Sequence, residues 1–581
     1  RTLTVIGDAI KFIYETTGNK IDIDRIPLDD DATCSMLRKG DTQGVFQLES
    51  GGMTKLVMDL GPESFEDLIP LVALYRPGPL GTGMVEDFIA GRHGDKTAEM
   101  LHPLLEPVLK DTFGVILYQE QVMQITSVLA GFSLGQADIL RRAMGKKKAK
   151  ELDSMREAFI EGAKQKHGIS TQLSSEIFAL LQHFAGYGFN KSHSAAYALV
   201  AYQTAYLKAH WPAEFMAAFL TSVISDSEKL SWYISVCRGM GLKILPPDVN
   251  ESGRSFSVNK DRVIRFGLAG VKNVGENAIS SILQARKDGP FTSLLDFCKR
   301  VDNRAVNKRM LENLIKCGAM DSFGHKRSEL LAVVEQAMDL GSNYQKDYQS
   351  GQMGLFGDEG FADINELKIP KLEEIPKRTI LQYEKELIGF YVTGNPLDAY
   401  VGSLYYFTPL RKMAEAGEVL DGKYFSVAGI ISDCKIRNTR QGDSMAILTL
   451  EDFNGKMEIV VFPKVYREAA RLLYLENAIS VEGKLSIDER ERKIQALRIK
   501  PLQEVPPDLH IKIRKKDENG IIQKGLKQIF ESFKGETPVY LHLVDSGKMI
   551  KVERCFWVDA KEAAVYRALD DLLGEDWYLK E

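Results

Sequence analysis

The chain is poor in the residues that would staple it or hold a metal. Its six cysteines, at 34, 237, 298, 317, 434 and 555 in 581 residues, are scattered and form no CxxC pair. That excludes a disulfide framework and a thiolate zinc site, and the thiols read as small buried hydrophobes in a reducing compartment. The nine histidines make neither HExxH nor HxxxH, so no metal centre is expected. No apolar run reaches the ~18–20 residues that span a bilayer, and no signal peptide opens the sequence. A cytoplasmic protein without membrane attachment is expected. A formal charge of −5 excludes a uniformly basic binder but not one that gathers positive charge in a groove. The GxxxxGK spacing of "GEVLDGKY" (417–424) fails as a phosphate loop. Tyr424 stands where Ser or Thr would hold magnesium, Glu418 and Asp421 would repel phosphate, and a strand follows where a helix is needed.

What the chain does have is sharply local charge. Between Gln136 and Lys150 lie Arg141, Arg142, Lys146, Lys147, Lys148 and Lys150 against one acid, Asp138. Such a run is either a solvated helix end that offsets the macrodipole or a site for a polyanion. At this length roughly four domains are expected. The sequence starts at Arg1 and enters helical spacing at once (Leu3, Ile6, Ile10, Ile13), which suggests a piece of something longer.

Residues 1–245 read as mostly helical. Asp29, Asp30 and Asp31 could bind a metal, but acids before an apolar-periodic run more often cap a helix. "LYRPGPLGTGM" (74–84) reads as a Pro/Gly loop, and residues 119–145 as two helices broken near Gly131–Gly135. "GYGFNKSHSAAYALVAYQTAYLKAHWP" (186–212) reads as a helix stopped by Pro212. Asn190, Ser192 and His193 lie at its start, which suits either an anion on free N–H groups or a plainly capped core helix.

"FGLAGVKNVGENAISSILQAR" from 266 has the pattern of two short helices about a glycine turn. Gly270, Lys272, Asn273 and Gly275 are the candidate phosphate contacts, with a purely packing hairpin as the alternative. Residues 339–378 read as an exposed connector. It carries an apolar island, Met353, Leu355 and Phe356 after Gln352, of the kind that docks on binding. From 423 to 501 the period changes to two, giving five strands with one helix between the third and fourth, the order of an OB-fold. Lys435, Arg437 and Arg440 sit on its first hairpin, suited to tracking a single strand. A small α/β unit follows, and its acidic end with exposed-looking Trp577 and Tyr578 suggests a protein partner.

In this order, "GVFQLESGGM", "LVALYRPGPL", "GVILYQEQVMQI", "LRRAMGKKK", "FAGYGFNKSHSAAYALVAYQT", "LKAHWPAEFMAA", "GLKILPPDVN" and "LIGFYVTGNPL" closely resemble the bacterial replicative DNA polymerases of the polymerase III alpha family. The resemblance implies a multidomain fold: mainly α-helical fingers (1–245), a clamp-binding region with a helix-hairpin-helix (246–375), a connector (376–422), a β-barrel OB domain (423–505) and a small α/β C-terminal domain (506–581). It implies dNTP contacts by Arg141, Arg142, Lys146, Asn190, Ser192 and His193. It implies clamp docking by "QMGLF" (352–356) and primer–template DNA at the hairpin and OB loop. The metal-binding aspartates that hold Mg2+ are expected upstream of Arg1, so no catalytic residue is assigned and this stretch alone is expected to be inactive. Implied partners are the sliding clamp (beta subunit), the clamp loader tau subunit through the C-terminal domain, and a proofreading exonuclease subunit through the upstream part. A non-catalytic tether of DNA, clamp and clamp loader is the second reading. NAD-dependent ligase, which also pairs hairpins with an OB-fold, requires a KxDG that the sequence lacks.

Overall fold

The computed structural model describes residues 1–80, 83–95, 100–145, 149–185, 188–350, 367–414, 418–439, 442–453, 455–487, 492–503, 508–514, 520–574 and 577. The chain forms two compact units, Arg1–Phe390 and Tyr391–Glu581.

The first unit is helical through Gly239, as the 3.6-residue spacing requires. Its axis is the helix Lys191–His210, buried on most sides through Ala198, Ala201, Tyr202, Ala205 and Leu207. A helix this enclosed must satisfy its polar groups internally. The Tyr202 hydroxyl donates to the Pro27 carbonyl at 2.8 Å and accepts the Asp30 N–H at 3.0 Å. Lys208 donates to the carbonyls of Asp41 and Gln43, both at 2.8 Å. Asp30 is a cap: its carboxylate takes the N–H of Thr33 at 2.8 Å and pairs with His210 at 2.9 Å. Burial pushes that carboxyl up, but the Thr33 and His210 hydrogen bonds prevail and hold it below its ordinary value.

Several expectations need correction. Within 74–84, Pro77–Leu80 is a helical turn, because prolines in a first turn lack only N–H groups that have no partner there. The first arm of the hairpin is one 3-10 turn, Leu268–Gly270, rather than an α-helix; a Cβ at Gly267 would lie 2.4 Å from the Ser255 backbone, so that arm is pressed flat. The connector expected from 339 is helix as far as 350, in Val334–Ser350. Tertiary packing overrides its polar composition. A Cβ at Gly341 would fall 2.6 Å from the Cys298 carbonyl, and Gln345 donates to the carbonyls of Lys299 and Val301 at 3.0 and 2.6 Å. Farther on, Lys377–Ile388 is a helix, which leaves the 376–422 division as it was expected.

In the second unit, the strands Tyr424–Asn438, Ser444–Glu451, Lys456–Val461, Ala478–Ile487 and Arg492–Pro501 close a barrel in the order 1-2-3-5-4. The helix Pro463–Ala469 lies between the third and fourth strands. All contacts are antiparallel except the closing third-to-fifth pair, which is parallel. Alternate residues Ala446, Leu448 and Leu450 of the second strand point into the barrel and are fully buried. Beyond it, Lys548–Lys551, Val539–Leu543 and Leu509–Ile513 form a three-stranded sheet backed by Gly520–Ser532 and Ala563–Leu573. Trp577, read as exposed, is 2% exposed. Its ring packs with Tyr405 and Tyr566, and its indole donates to Asp570 at 2.8 Å. A large aromatic whose N–H has a partner gains more from the core than from solvent. Tyr578 lies outside the described residues.

Four cysteines are buried as expected, but Cys434 is half-buried and Cys555 exposed. Burial pushes the Cys34 thiol up to about 11 and those of Cys237, Cys298 and Cys317 up to about 12. In the unfolded chain these thiols ionise near 9 while the folded protein keeps them protonated. Their contribution to stability is therefore intact below pH 9 and lost as pH rises toward 11 to 12. Thiol labelling at neutral pH should modify Cys555 first and Cys434 slowly, sparing the other four until denaturant is added. Urea midpoints should fall as pH rises above 9, and less so in a Cys237→Ala/Cys298→Ala/Cys317→Ala variant.

Arg327 and Glu384 form a buried pair at 3.1 Å, with side chains 5% and 0% exposed, and Arg327 also binds Asp321 at 2.7 Å. Removing one member strips a buried charge of one of its partners, and breaking a buried pair costs up to about 3–5 kcal/mol. Glu384→Ala should show that loss in chemical denaturation, and Arg327→Met/Glu384→Leu should recover much of it.

Candidate nucleic-acid interface

Three of the sequence-predicted sites lie at least partly within the described residues. The first is built on two consecutive helices, Gln119–Ala130 and Leu134–Gly145, and on the start of Lys191–His210. Arg141 and Arg142 are adjacent on a helix, so their side chains leave it about 100° apart. Asp138, three and four residues earlier, draws both to one side. Its Oδ1 accepts from Nε and Nη2 of Arg141 at 3.0 and 2.8 Å, and its Oδ2 pairs with Nη2 of Arg142 at 2.8 Å. The Arg141 hydrogen bond is the largest influence on the Asp138 carboxyl; burial opposes it, and the two guanidinium charges with the Arg142 hydrogen bond hold the carboxyl below its ordinary value.

Gln119 ties this pair to the second segment. Its Oε1 accepts from Arg141 Nη1 at 3.0 Å, its Nε2 donates to the Gly188 carbonyl at 2.9 Å, and its backbone N–H donates to Phe189 at 2.9 Å. Phe189 in turn donates to Leu117 at 3.1 Å. Asn190 caps the helix by accepting the His193 N–H at 2.8 Å. Glu120 takes the Asn190 amide and the Lys191 N–H, both at 3.0 Å. The N–H groups expected to be free for an anion are thus partly met by a protein carboxylate. Ser192 and His193 are exposed beside them, and the His193 ring lies 4.4 Å from that of Tyr197. Arg76 joins the cluster with its guanidinium 4.4 Å from the Phe189 ring. Lys146 lies outside the described residues.

The second site is the hairpin. Asn273 takes a left-handed turn at φ 65°, which Asn tolerates better than most residues. Gly275 then caps the helix Glu276–Ala285. The N–H of Lys272 donates to Leu387 and that of Val274 to Val271. Those of Gly275, Glu276 and Asn277 have no acceptor among the described residues. Gly270 serves packing, because a Cβ there would lie 2.6 Å from the Phe266 ring, whereas one at Gly275 meets nothing within 4 Å.

Asn273, Val274 and Gly275 line an open concavity of about 370 Å³ together with Asn307 and Arg309. Asn307 caps a second helix, Lys308–Lys316, by accepting the Met310 N–H at 2.9 Å. Two helix starts therefore face one groove beside the exposed cations Lys272 and Arg309, neither with an ion-pair partner among the described residues. Sequence reasoning missed Asn307 and Arg309. The available signal was an Asn cap followed by Lys-Arg, since cations in a first turn oppose the helix dipole.

The third site is the projecting end of the first barrel strand. Lys435 and Arg437 are exposed there, and Asp433 half-neutralises Lys435 at 2.9 Å. Arg440 and the stretch expected to dock on a clamp, Gln352, Met353, Leu355 and Phe356, lie outside the described residues. Among the described residues no group of three or more His, Cys, Asp or Glu side chains is placed to hold a metal ion, and no helix is long and apolar enough to cross a membrane. The acidic run is committed elsewhere, with Asp30 to its cap and Asp31 to Arg38 at 3.0 Å. These residues do not fit a divalent-metal site, which the resemblance expects upstream of Arg1.

Residues 2–167 match the bacterial DNA polymerase III alpha subunit finger domain, 241–330 a helix-hairpin-helix motif, and 425–502 an OB-fold nucleic acid binding domain. The chain is 41% identical to the DNA polymerase III subunit alpha of Pseudomonas aeruginosa over 99% of its length and 52% of that protein. It is 40% identical to that of Bacillus subtilis, over 99% of its length and 51% of the relative. It is 42% identical to that of Escherichia coli K12, over 84% and 43%. The chain spans about half the length of the curated relatives it matches. Over that span, with finger domain, hairpin and OB barrel in their order, it belongs to the family of bacterial DNA polymerase III alpha subunits.

Proposed function

We propose that this chain is the fingers-to-C-terminus portion of a replicative DNA polymerase, which adds dNTPs to a primer on a DNA template in the cytoplasm. The observation that carries the proposal is the joint at Gln119, where the Arg141–Arg142 pair and the Asn190–His193 helix start meet. In nucleotidyl transfer a primer 3′-hydroxyl attacks the α-phosphorus and pyrophosphate leaves with growing negative charge. Arg141, Arg142 and Lys146 are suited to neutralise the β and γ phosphates, with Asn190, Ser192 and His193 adding polar contacts. Mg2+, the cofactor this chemistry implies, has no ligand set among the described residues. Its aspartates are proposed to belong to the half of the relatives that this chain does not span.

In the proposed domain division, 1–245 are fingers, 246–375 clamp-binding, 376–422 connector, 423–505 OB and 506–581 C-terminal. The hairpin groove grips duplex phosphates without reading sequence, and Lys435, Arg437 and Arg440 track single-stranded template. "QMGLF" docks on the sliding clamp, the last domain on the tau subunit, and a proofreading exonuclease on the part not spanned. A pure tether is the second reading, since the hairpin, barrel and docking peptide serve it equally. Primer extension decides between them: an Arg141→Ala/Arg142→Ala polymerase should lose extension but keep primer–template affinity. Undiminished extension would leave only the tether.

Two further outcomes are expected. Lys272→Ala and Arg309→Ala should each weaken duplex binding on any sequence and lower the slope of log affinity against log salt by about 1. Leu355→Ala/Phe356→Ala should abolish clamp binding without lowering the melting temperature. Each buried side chain is worth roughly 1.5–3 kcal/mol before ordering costs. Clamp binding that survives this change would exclude the peptide as the docking site.

A further inference from the structure

The two arginines are not equivalent. Arg141 has a side chain 27% exposed and spends three of its N–H donors inside the protein, two on Asp138 and one on Gln119. Arg142 is 67% exposed and its pairing with Asp138 uses one nitrogen, so that among the described residues most of its five donors are left for a ligand. We propose that Asp138 is a positioning residue that holds Arg142 toward the triphosphate, with Arg141 and Gln119 as the fixed frame behind it. The proposal rests on the triphosphate reading above.

The physical case has three parts. Two guanidinium groups on neighbouring positions repel and diverge by about 100°, and one shared carboxylate cancels both tendencies. Arg141 is fixed from two directions, by Asp138 on its own helix and by Gln119 on the preceding one, so Asp138 is itself held and cannot simply follow Arg142. A long arginine side chain surrenders considerable rotamer freedom on binding a ligand, and pre-orienting it removes much of that cost. Asp138 also repels phosphate. Were that its main effect, removing it would tighten nucleotide binding, so the two accounts predict opposite signs.

The test uses the intact polymerase in steady-state extension of a primed DNA, with dNTP concentration varied. Arg142→Ala should raise the KM for dNTP by at least about tenfold. Asp138→Asn, an isostere without the charge, should raise KM several-fold with a smaller change in kcat and an unchanged melting temperature. In the Arg142→Ala background, adding Asp138→Asn should change KM no further, because the residue acts through the arginine. Asp138→Glu should restore part of the loss. Because the arginines keep Asp138 ionised well into acid, lowering the assay from about pH 8 to about pH 6 should not reproduce the Asp138→Asn phenotype.

A lower or unchanged KM in Asp138→Asn, or an effect that adds fully to that of Arg142→Ala, overturns the positioning role while the triphosphate reading stands. An Arg142→Ala polymerase with unchanged KM overturns the triphosphate reading and this inference with it.

Discussion

The first turn of the helix Gln119–Ala130 is the joint on which the fingers site depends. Gln121 lies buried beneath it, accepting the N–H groups of Leu117 and Tyr118 at 2.8 and 2.9 Å and donating to Val108 and Thr112. That locks the chain entering the turn. Gln119 and Glu120 then project sideways in fixed directions, one to Arg141 and Gly188, the other to Asn190 and Lys191. Without this turn the basic helix and the capped helix would belong to separate packing layers, because nothing in their sequence spacing brings them together.

A chain of net charge −5 can still recognise a polyanion when its free cations are few and fixed. Many cations here are spent on structure: Arg327 on Glu384, Arg300 on Asp296, Arg92 on Glu63 and Asp67. Those facing outward from the candidate sites stand where the backbone is already ordered: Arg142 near a helix end, Arg309 at a helix start, Arg437 at a strand end and Lys272 in the hairpin turn. The same design recurs at the hairpin groove, where backbone N–H groups supply positive character without side-chain entropy. Such contacts grip phosphate without discriminating among bases.

Local period was legible in the sequence, and its consequences in space were not. The barrel strands announced themselves because each alternates, as in Ala446, Leu448 and Leu450. The break at Gly131 was equally plain, since glycine there takes φ 75°. The Asp30 cap followed from its place ahead of an apolar run. The helix through Ser350 was hidden because its polar composition resembles a linker, while the close seat of Gly341 on Cys298 and the Gln345 hydrogen bonds hold it in place. Trp577 was misjudged because an acidic tail looks solvated, while the aromatic core that buries it includes Tyr405, remote in sequence, and Tyr566. Within the candidate site, Arg141 and Asn190 could be named, but Gln119 could not: a glutamine carries no signal until its two partners are in view.

The central claim, that the Arg141–Arg142 segment receives a nucleotide triphosphate, is tested most directly by chemical protection. The intact polymerase on primed DNA, with and without the next correct dNTP, would be treated with phenylglyoxal and each arginine read by mass spectrometry. The account predicts that Arg142 reacts readily without nucleotide and is protected by it, while Arg25, exposed on the turn Ile23–Arg25 and no part of the site, reacts equally in both. Equal labelling of Arg142 with and without dNTP would contradict it.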